Sequence, residues 1–170
     1  MEPTLVLKES FYVLGVLAQV DPDQPGFFDD MWMKKFMPVE NLVRQFSTDQ
    51  AYYGVFLHPA DPQACPDYLA GMAVAGDVLD DCAALACGKL VLRQVPTARF
   101  AIYPCCFRDL GQASDFIHGK WLPTSPYEYA YPLPEFEYYP PGAATSDSPV
   151  LIYIPVRLKT PSLIPDPRPL

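Results

Sequence analysis

The chain has 170 residues, half of them apolar, and a formal net charge of −8. This length fits one ordinary domain, or two small halves that share a core. The acidic balance disfavours nucleic acid and anionic membranes, whose phosphates would be repelled, and favours cationic partners.

Residues 4–20 form a loosely alternating stretch that begins with Thr4-Leu5-Val6-Leu7-Lys8-Glu9. A kink near Glu9-Ser10 divides this stretch into two predicted strands. Turn residues at 21–26 precede a predicted helix that Pro38 stops. Residues 39–50 are predicted to be loop with at most a short helical turn, and residues 51–57 and 68–75 are predicted antiparallel strands. The apolar side chains that form one stripe of the helix are Phe28, Met31, Trp32 and Phe36.

The pattern then begins again, because Lys89-Leu90-Val91-Leu92-Arg93-Gln94 echoes residues 4–9 position by position. A strand near residues 100–103, a helix over 109–121 and strands over 133–139 and 150–156 complete the second unit. The repeats cover about 4–76 and 88–157, offset by about 85 residues as from Leu5 to Leu90. We expect one domain over 1–158 and a proline-rich tail over 159–170.

Each repeat has too few elements to cover both faces of its own sheet. The predicted fold is therefore α+β: two strand–helix–strand–strand units paired about a pseudo-twofold axis. They would form one antiparallel sheet with two helices on a common side. The cleft between the halves is the expected binding site.

The strand over 133–139 carries the ambiguous acid. On a strand, Glu135, Glu137 and Tyr139 share one face, while Phe136 and Tyr138 share the other. If Glu137 faces water, it is an ordinary surface carboxylate. If it faces an aromatic enclosure, it is a counter-ion for a cation.

The sequence gives no sign of metal or cofactor chemistry. Five cysteines, two of them adjacent and none near a histidine, fit neither a disulfide framework nor a zinc site. Glycine-rich phosphate loops and dinucleotide fingerprints are missing from the sequence as well. With no signal peptide and no 18-residue apolar stretch in the sequence, we expect a reduced, cytoplasmic setting.

Four short motifs, in order on the repeat, resemble the GyrI-like effector-binding domain, which is the ligand-binding part of multidrug-responsive transcription activators in bacteria and also occurs alone. The resemblance extends to about Val156, although residues 104–107 replace a glycine that is common in the family. The motifs are Tyr52-Tyr53-Gly54, Trp121-Leu122-Pro123, Phe136-Glu137-Tyr138 and Tyr153-Ile154-Pro155.

The resemblance implies a pocket between the halves for flat, apolar and often cationic compounds. It places the central acid on Glu137 and one aromatic wall on Tyr53, and Trp121 and Tyr153 match further motif positions. Tyr103, on a strand beside the seam, and Trp32, on the first helix, are additional candidates. Each of these aromatic residues has an alternative role in the core.

Three functions remain open on this basis. The first is binding of lipophilic, preferentially cationic small molecules. The second is hydrolysis of strained electrophilic toxins such as cyclopropane-containing DNA alkylators, with Glu137 as general base and Tyr53 as hydrogen-bond donor. The third is action on an unknown protein partner, as in the gyrase inhibitor that names the family. No DNA-binding segment is predicted, and His58 and His118 are assigned to surface structure.

Overall fold

The computed structural model describes residues 2–61, 63–78, 89–143 and 145–160. It contains two helical regions, 27–44 and 107–124, each with a π-helical stretch in its middle, Asp30–Phe36 and Ile117–Trp121 respectively. The strands are β1 (Thr4–Lys8), β2 (Phe11–Gln19), β3 (Ser47–Leu57), β4 (Asp67–Val74), β5 (Val91–Val95), β6 (Ala98–Cys106), β7 (Tyr127–Tyr129), β8 (Glu135–Tyr139) and β9 (Pro149–Leu158).

All strand pairs are antiparallel, in the order β1-β6-β9-β8-β3-β4-β2-β5, and β7 pairs with β9. The two repeats meet where β3 and β8 pair, with Tyr53 opposite Tyr138 and Gly54 opposite Glu137. The predicted α+β class, with a single antiparallel sheet built from two repeated units, is confirmed.

The two repeats exchange their first strands. β1 of the first repeat pairs with β6 of the second, and β5 of the second pairs with β2 of the first. The sequence predicted the division near Glu9-Ser10 but not this exchange, because each short strand is directly joined in the sequence to the rest of its own repeat.

The exchange also bends the sheet. β1 is an edge strand and β2 lies six positions away, which in a flat sheet would separate them by about 29 Å. Only two residues, Glu9 and Ser10, join them, and they span at most about 11 Å. The sheet must therefore curl until its edges approach each other. The backbone N–H of Ser10 donates to Thr97 Oγ1 at 3.0 Å. This hydrogen bond connects the link between β1 and β2 to the link between β5 and β6.

The curled sheet separates three core clusters. The enclosed face buries Val13, Val55, Leu69, Phe100 and Phe136, with no helical residue among the buried members of this cluster. The opposite face packs on the helices in two places, one cluster with the first helical region and one with the second. Both helical regions therefore lie on the same side of the sheet.

The first helical region is longer than predicted. Pro38 does not end it, because the chain continues through a 3₁₀ turn, Met37–Val39, and an α-helical turn, Glu40–Arg44. Proline is tolerated there because it stands in the first turn of the new element, where its missing N–H would have no partner. The predicted loop over 39–50 is accordingly corrected to helix followed by the start of β3.

Residues 161–170 of the predicted proline-rich tail and residues 79–88 lie outside the described residues. None of the helices in the ranges given above has both the length and the apolar character needed to cross a bilayer.

Candidate functional site

Glu137 lies at the centre of the sheet, on β8, with its side chain on the face that carries the helices. Its neighbour across the strand pair is Gly54 of β3. The carboxylate Oε2 accepts hydrogen bonds from the hydroxyls of Tyr139, at 2.7 Å, and Tyr68, at 3.1 Å. Alternation along β8 brings Tyr139 to the same face, as the sequence predicted for residues 135, 137 and 139.

Tyr68 comes from β4, which is not a neighbour of β8, and reaches Glu137 over Gly54. A β-carbon on residue 54 would lie 2.1 Å from the Tyr68 hydroxyl and 2.8 Å from Glu137 Oε2. Both distances are shorter than van der Waals contact allows. The missing side chain of Gly54 is therefore what lets the phenol and the carboxylate meet above β3.

Trp32 connects this bond to the first helical region. Its indole Nε1 donates to the hydroxyl of Tyr68 at 3.1 Å, and Tyr68 itself is fully buried. One continuous series of hydrogen bonds thus leads from Trp32 through Tyr68 to Glu137. Because the phenol accepts from the indole, its own hydrogen is directed at the carboxylate.

Burial dominates the electrostatics of Glu137. It raises the pKa of this carboxyl to about 7 from the ordinary 4.5. The hydrogen bonds from Tyr139 and then Tyr68 oppose that rise, because they stabilise the ionised form, and the nearby charge of Glu135 adds to the rise in pKa. Burial likewise raises the pKa of Tyr68 and of Tyr139, so both phenols keep their hydrogens.

The acid opens into a cavity of about 390 Å³ between the two helical regions, which we call the inner cavity. Its size suits a small organic molecule. Acidic and aromatic side chains dominate its lining: Asp29, Glu135 and Glu137 among the acids, and Phe28, Trp32, Phe56, Tyr68, Phe107 and Tyr139 among the aromatics.

Glu135 is a second carboxylate at this cavity, two residues before Glu137 on the same face. Its Oε2 lies 3.1 Å from Nε2 of His118 in the second helical region. That hydrogen bond with Glu135 raises the pKa of His118, whereas burial lowers the pKa of His58. His58 Nε2 lies 2.7 Å from the hydroxyl of Tyr129. The two histidines therefore belong to a polar cluster beside the cavity.

The structure brings only two of the six predicted site residues together, Glu137 and Trp32. Tyr53 is buried on the enclosed face, where its hydroxyl donates to Asp49 at 2.7 Å. Tyr153 packs on that same face, stacked on Phe136 at a ring distance of 4.4 Å. Glu137 pairs with Gly54 of β3 and with Ile152 of β9, which share its face of the sheet. Tyr53 and Tyr153 are the neighbours of these residues along their strands and therefore face the other way.

Trp121 and Tyr103 lie in the core of the second helical region. Their rings are 5.9 Å apart, and Trp121 also stacks on Tyr127 at 6.3 Å. Neither residue lines the inner cavity. Both residues therefore occupy the alternative role given to them above, as core residues.

Sequence reasoning missed Tyr68 as a partner of Glu137, and it also missed the aromatic residues Phe56 and Phe107 at the cavity. Tyr139 carried a signal, since it shares a strand face with Glu137. Tyr68 carried none, because its contact with Glu137 passes over an intervening strand and depends on strand order. Within the described ranges, no group of three or more His, Cys, Asp or Glu side chains is arranged to hold a metal ion.

A family model described as the GyrI-like small molecule binding domain matches residues 1–157. Comparison with curated proteins gave no match.

Several solved structures share the fold at low sequence identity. SAV2435 bound to tetraphenylphosphonium is similar with a TM-score of 0.73 and 12% identity, over 92% of this chain and 94% of that one. The C-terminal domain of EcmrR is similar with a TM-score of 0.62 and 14% identity, over 94% and 100%. A hydrolase from Listeria innocua is similar with a TM-score of 0.51 and 12% identity, over 92% of both chains.

Proposed function

The chain belongs to the GyrI-like small molecule binding domain family, and we propose that it binds lipophilic, preferentially cationic aromatic compounds in the inner cavity. Glu137 is the counter-ion in this proposal, and Trp32 is an aromatic wall. The binding domain comprises residues 1–158, works in the cytoplasm and makes no direct contact with nucleic acid or membrane. Its role is multidrug-type sensing or sequestration.

The observation that carries the proposal is a carboxylate without a cation. Glu137 accepts two phenol hydrogen bonds, but no Lys, Arg or His in the described ranges forms an ion pair with it. Ionising a carboxyl that is largely withdrawn from water and lacks a positive partner is costly, and this cost is why its pKa is raised to about 7. A bound cation removes that cost.

The surroundings of the acid favour an aromatic cation over a small hydrated one. Trp32 and Phe56 offer ring surfaces beside Glu137, and aromatic faces attract cations by roughly 0.5–2 kcal/mol each. A delocalised cation also loses less hydration than an ammonium when it leaves water. The net charge of −8 concentrates cations near the protein.

The similarity to SAV2435 bound to tetraphenylphosphonium agrees with this ligand class, since that compound is a lipophilic aromatic cation. The similarity to the EcmrR C-terminal domain relates the fold to a transcription regulator.

The chain's two tryptophans provide a direct binding assay. Trp121→Phe leaves Trp32 as the single indole, so fluorescence then reports on the inner cavity. We expect N-methylquinolinium to quench Trp32 with micromolar affinity at pH 8, and the neutral isostere 1-methylnaphthalene to bind at least tenfold more weakly. Adding Glu137→Gln should remove that preference. Binding weaker than millimolar, or a charge preference that survives the substitution, would refute the proposal.

A second candidate function is hydrolysis of strained electrophiles such as cyclopropane-containing alkylators. The pKa of about 7 at Glu137 favours it, because a general base works best when its pKa is near the operating pH. Glu137 would take a proton from water while the water oxygen attacks the ring carbon. The broken C–C bond would leave its electrons on the conjugated group, which then receives the proton.

Tyr53 cannot assist that reaction from the enclosed face, so the donor role predicted for it would pass to Tyr68 or Tyr139. Mass spectrometry of such a compound after incubation with the protein distinguishes the two functions. Repeated turnover that Glu137→Gln abolishes would support hydrolysis, and stoichiometric uptake without product would leave binding alone.

A further inference from the structure

A second cavity of about 320 Å³ lies beside the inner cavity, and we call it the outer cavity. Four residues line both cavities: Asp29, Trp32, Phe107 and Tyr139. The two spaces are therefore neighbours with a common boundary, and the aromatic members of this shared set stand between them.

The boundary consists largely of aromatic side chains. The ring of Tyr139 lies 5.6 Å from that of Trp32 and 6.0 Å from that of Phe107. Phe107 is 45% exposed and so has room to change rotamer.

The two cavities differ in their chemistry. The inner cavity has Glu135 and Glu137 in addition to the shared Asp29. The outer cavity adds Met33, Met37, Tyr52 and Ala143 and, beyond Asp29, no charged side chain; Thr145, Ser146 and Ser148 complete its lining. A ligand that extends through both spaces would thus have an acidic environment at one end and an apolar one at the other.

Exposed apolar side chains concentrate around these cavities. Eight large hydrophobic side chains among the described residues are exposed, and four of them line one or both cavities: Phe28, Met33, Met37 and Phe107. Exposed apolar surface of this kind marks binding sites. Methionine suits such a site, since its flexible and polarisable side chain adapts to different ligands.

We propose that the outer cavity is a subsite for an apolar arm, so that the preferred ligands are amphiphilic organic cations. The charged aromatic head pairs with Glu137 in the inner cavity, and an alkyl or aryl arm passes Tyr139 to lie on Met33 and Met37. The inference rests on the proposed function, because it extends the same site to a second compartment.

A homologous series of N-alkylquinolinium salts, from methyl to hexyl, tests this subsite by calorimetry at pH 8. Each methylene that leaves water for an apolar site strengthens binding by about three- to fourfold. We expect such a gain per carbon until the outer cavity is filled, and a constant affinity beyond that length. Equal affinity for methyl and hexyl would overturn the inference.

Two substitutions locate the arm. Ala143→Leu fills the outer cavity. Met33→Gln removes apolar surface from that cavity, and because Met33 is already 67% exposed, this substitution should not prevent the protein from folding. Both substitutions should reduce the gain in affinity per carbon of the alkyl group. Leu7→Gln is the matched control, because Leu7 is 74% exposed but lines neither cavity.

The control should keep the wild-type gain per carbon. A wild-type gain in both Ala143→Leu and Met33→Gln would place the arm elsewhere and overturn the inference. The methyl compound separates this outcome from failure of the proposed function. If the methyl compound does not bind, the proposed function fails, whereas tight methyl binding with no gain along the series rejects only the subsite.

Discussion

The hydroxyl of Tyr68 lies 3.1 Å from Oε2 of Glu137, although their strands are not neighbours in the sheet. β3 runs between them, and Gly54 is the residue of β3 that the bond crosses. A residue without a side chain therefore sets the environment of the acid. The substitutions below separate what this contact contributes to stability from what it contributes to binding.

Gly54→Ala should destabilise the fold. Its β-carbon would overlap the Tyr68 hydroxyl and Glu137 Oε2, and moving them apart breaks the hydrogen bonds that join Trp32, Tyr68 and Glu137. Overpacking of this kind costs about 1–3 kcal/mol in the free energy of unfolding, which urea denaturation measures. Gly111→Ala is the matched control. A β-carbon there meets nothing within 4 Å, and alanine in a helix is favoured by up to about 1 kcal/mol. Equal effects of the two substitutions would contradict this account.

Stability should fall as the pH rises towards 7, because of Glu137. The folded carboxyl holds its proton up to a pKa of about 7, whereas the unfolded one loses it near 4.5. Between these values the folded state binds more protons, so the free energy of unfolding decreases by roughly 3 kcal/mol as pH rises.

Other carboxyl groups contribute to the pH dependence of both proteins, so the informative quantity is the difference between wild type and Glu137→Gln. We expect the variant to gain stability over wild type progressively from pH 4.5 to 7.5. A constant difference over that range would mean that Glu137 titrates normally.

Tyr139→Phe should shift the pH dependence of cation binding. The phenol of Tyr139 holds down the pKa of Glu137, and its loss leaves the acid protonated to higher pH. A hydrogen bond to a charged group is worth about 1.5–3 kcal/mol, so the midpoint of affinity against pH should rise by about one unit or more. Tyr53→Phe makes the same change on the enclosed face and should leave the midpoint in place. A shift in the Tyr53 variant instead would restore that residue to the site.

The two histidines should titrate on opposite sides of 6.5. The hydrogen bond to Glu135 raises the pKa of His118, and burial lowers the pKa of His58. NMR can follow both imidazoles, since the chain has only these two. Glu135→Gln should bring the pKa of His118 down and change that of His58 less. Two histidines with the same pKa, unchanged by Glu135→Gln, would show that this contact is not formed in solution.

The sequence predicts the part of this molecule that depends on local periodicity. Alternation along β8 places Glu135, Glu137 and Tyr139 on one face, and the apolar stripe with Met31 and Phe36 predicts the first helical region. The offset between the repeats predicts which strands are equivalent. Each of these inferences uses residues that are close together in the chain.

The errors at the candidate site have one physical cause. Alternation shows which residues share a strand face, but it does not show which face the helices cover. The resemblance implied an aromatic wall at Tyr53, but Tyr52 lies on the helical side and Tyr53 on the enclosed side. Tyr68 and Gly54 became visible only with the strand order, since β4, β3 and β8 are far apart in the sequence.

The exchanged strands limit the motions that are open to this protein. Each half of the sheet is completed by a strand from the other half, so a hinge motion that separated the halves would break main-chain hydrogen bonds at two places at once. Separation of the two halves is therefore disfavoured. In the proposed site, fitting to different ligands would then depend on the rotamers of the aromatic and methionine side chains around the two cavities, while the sheet stays rigid.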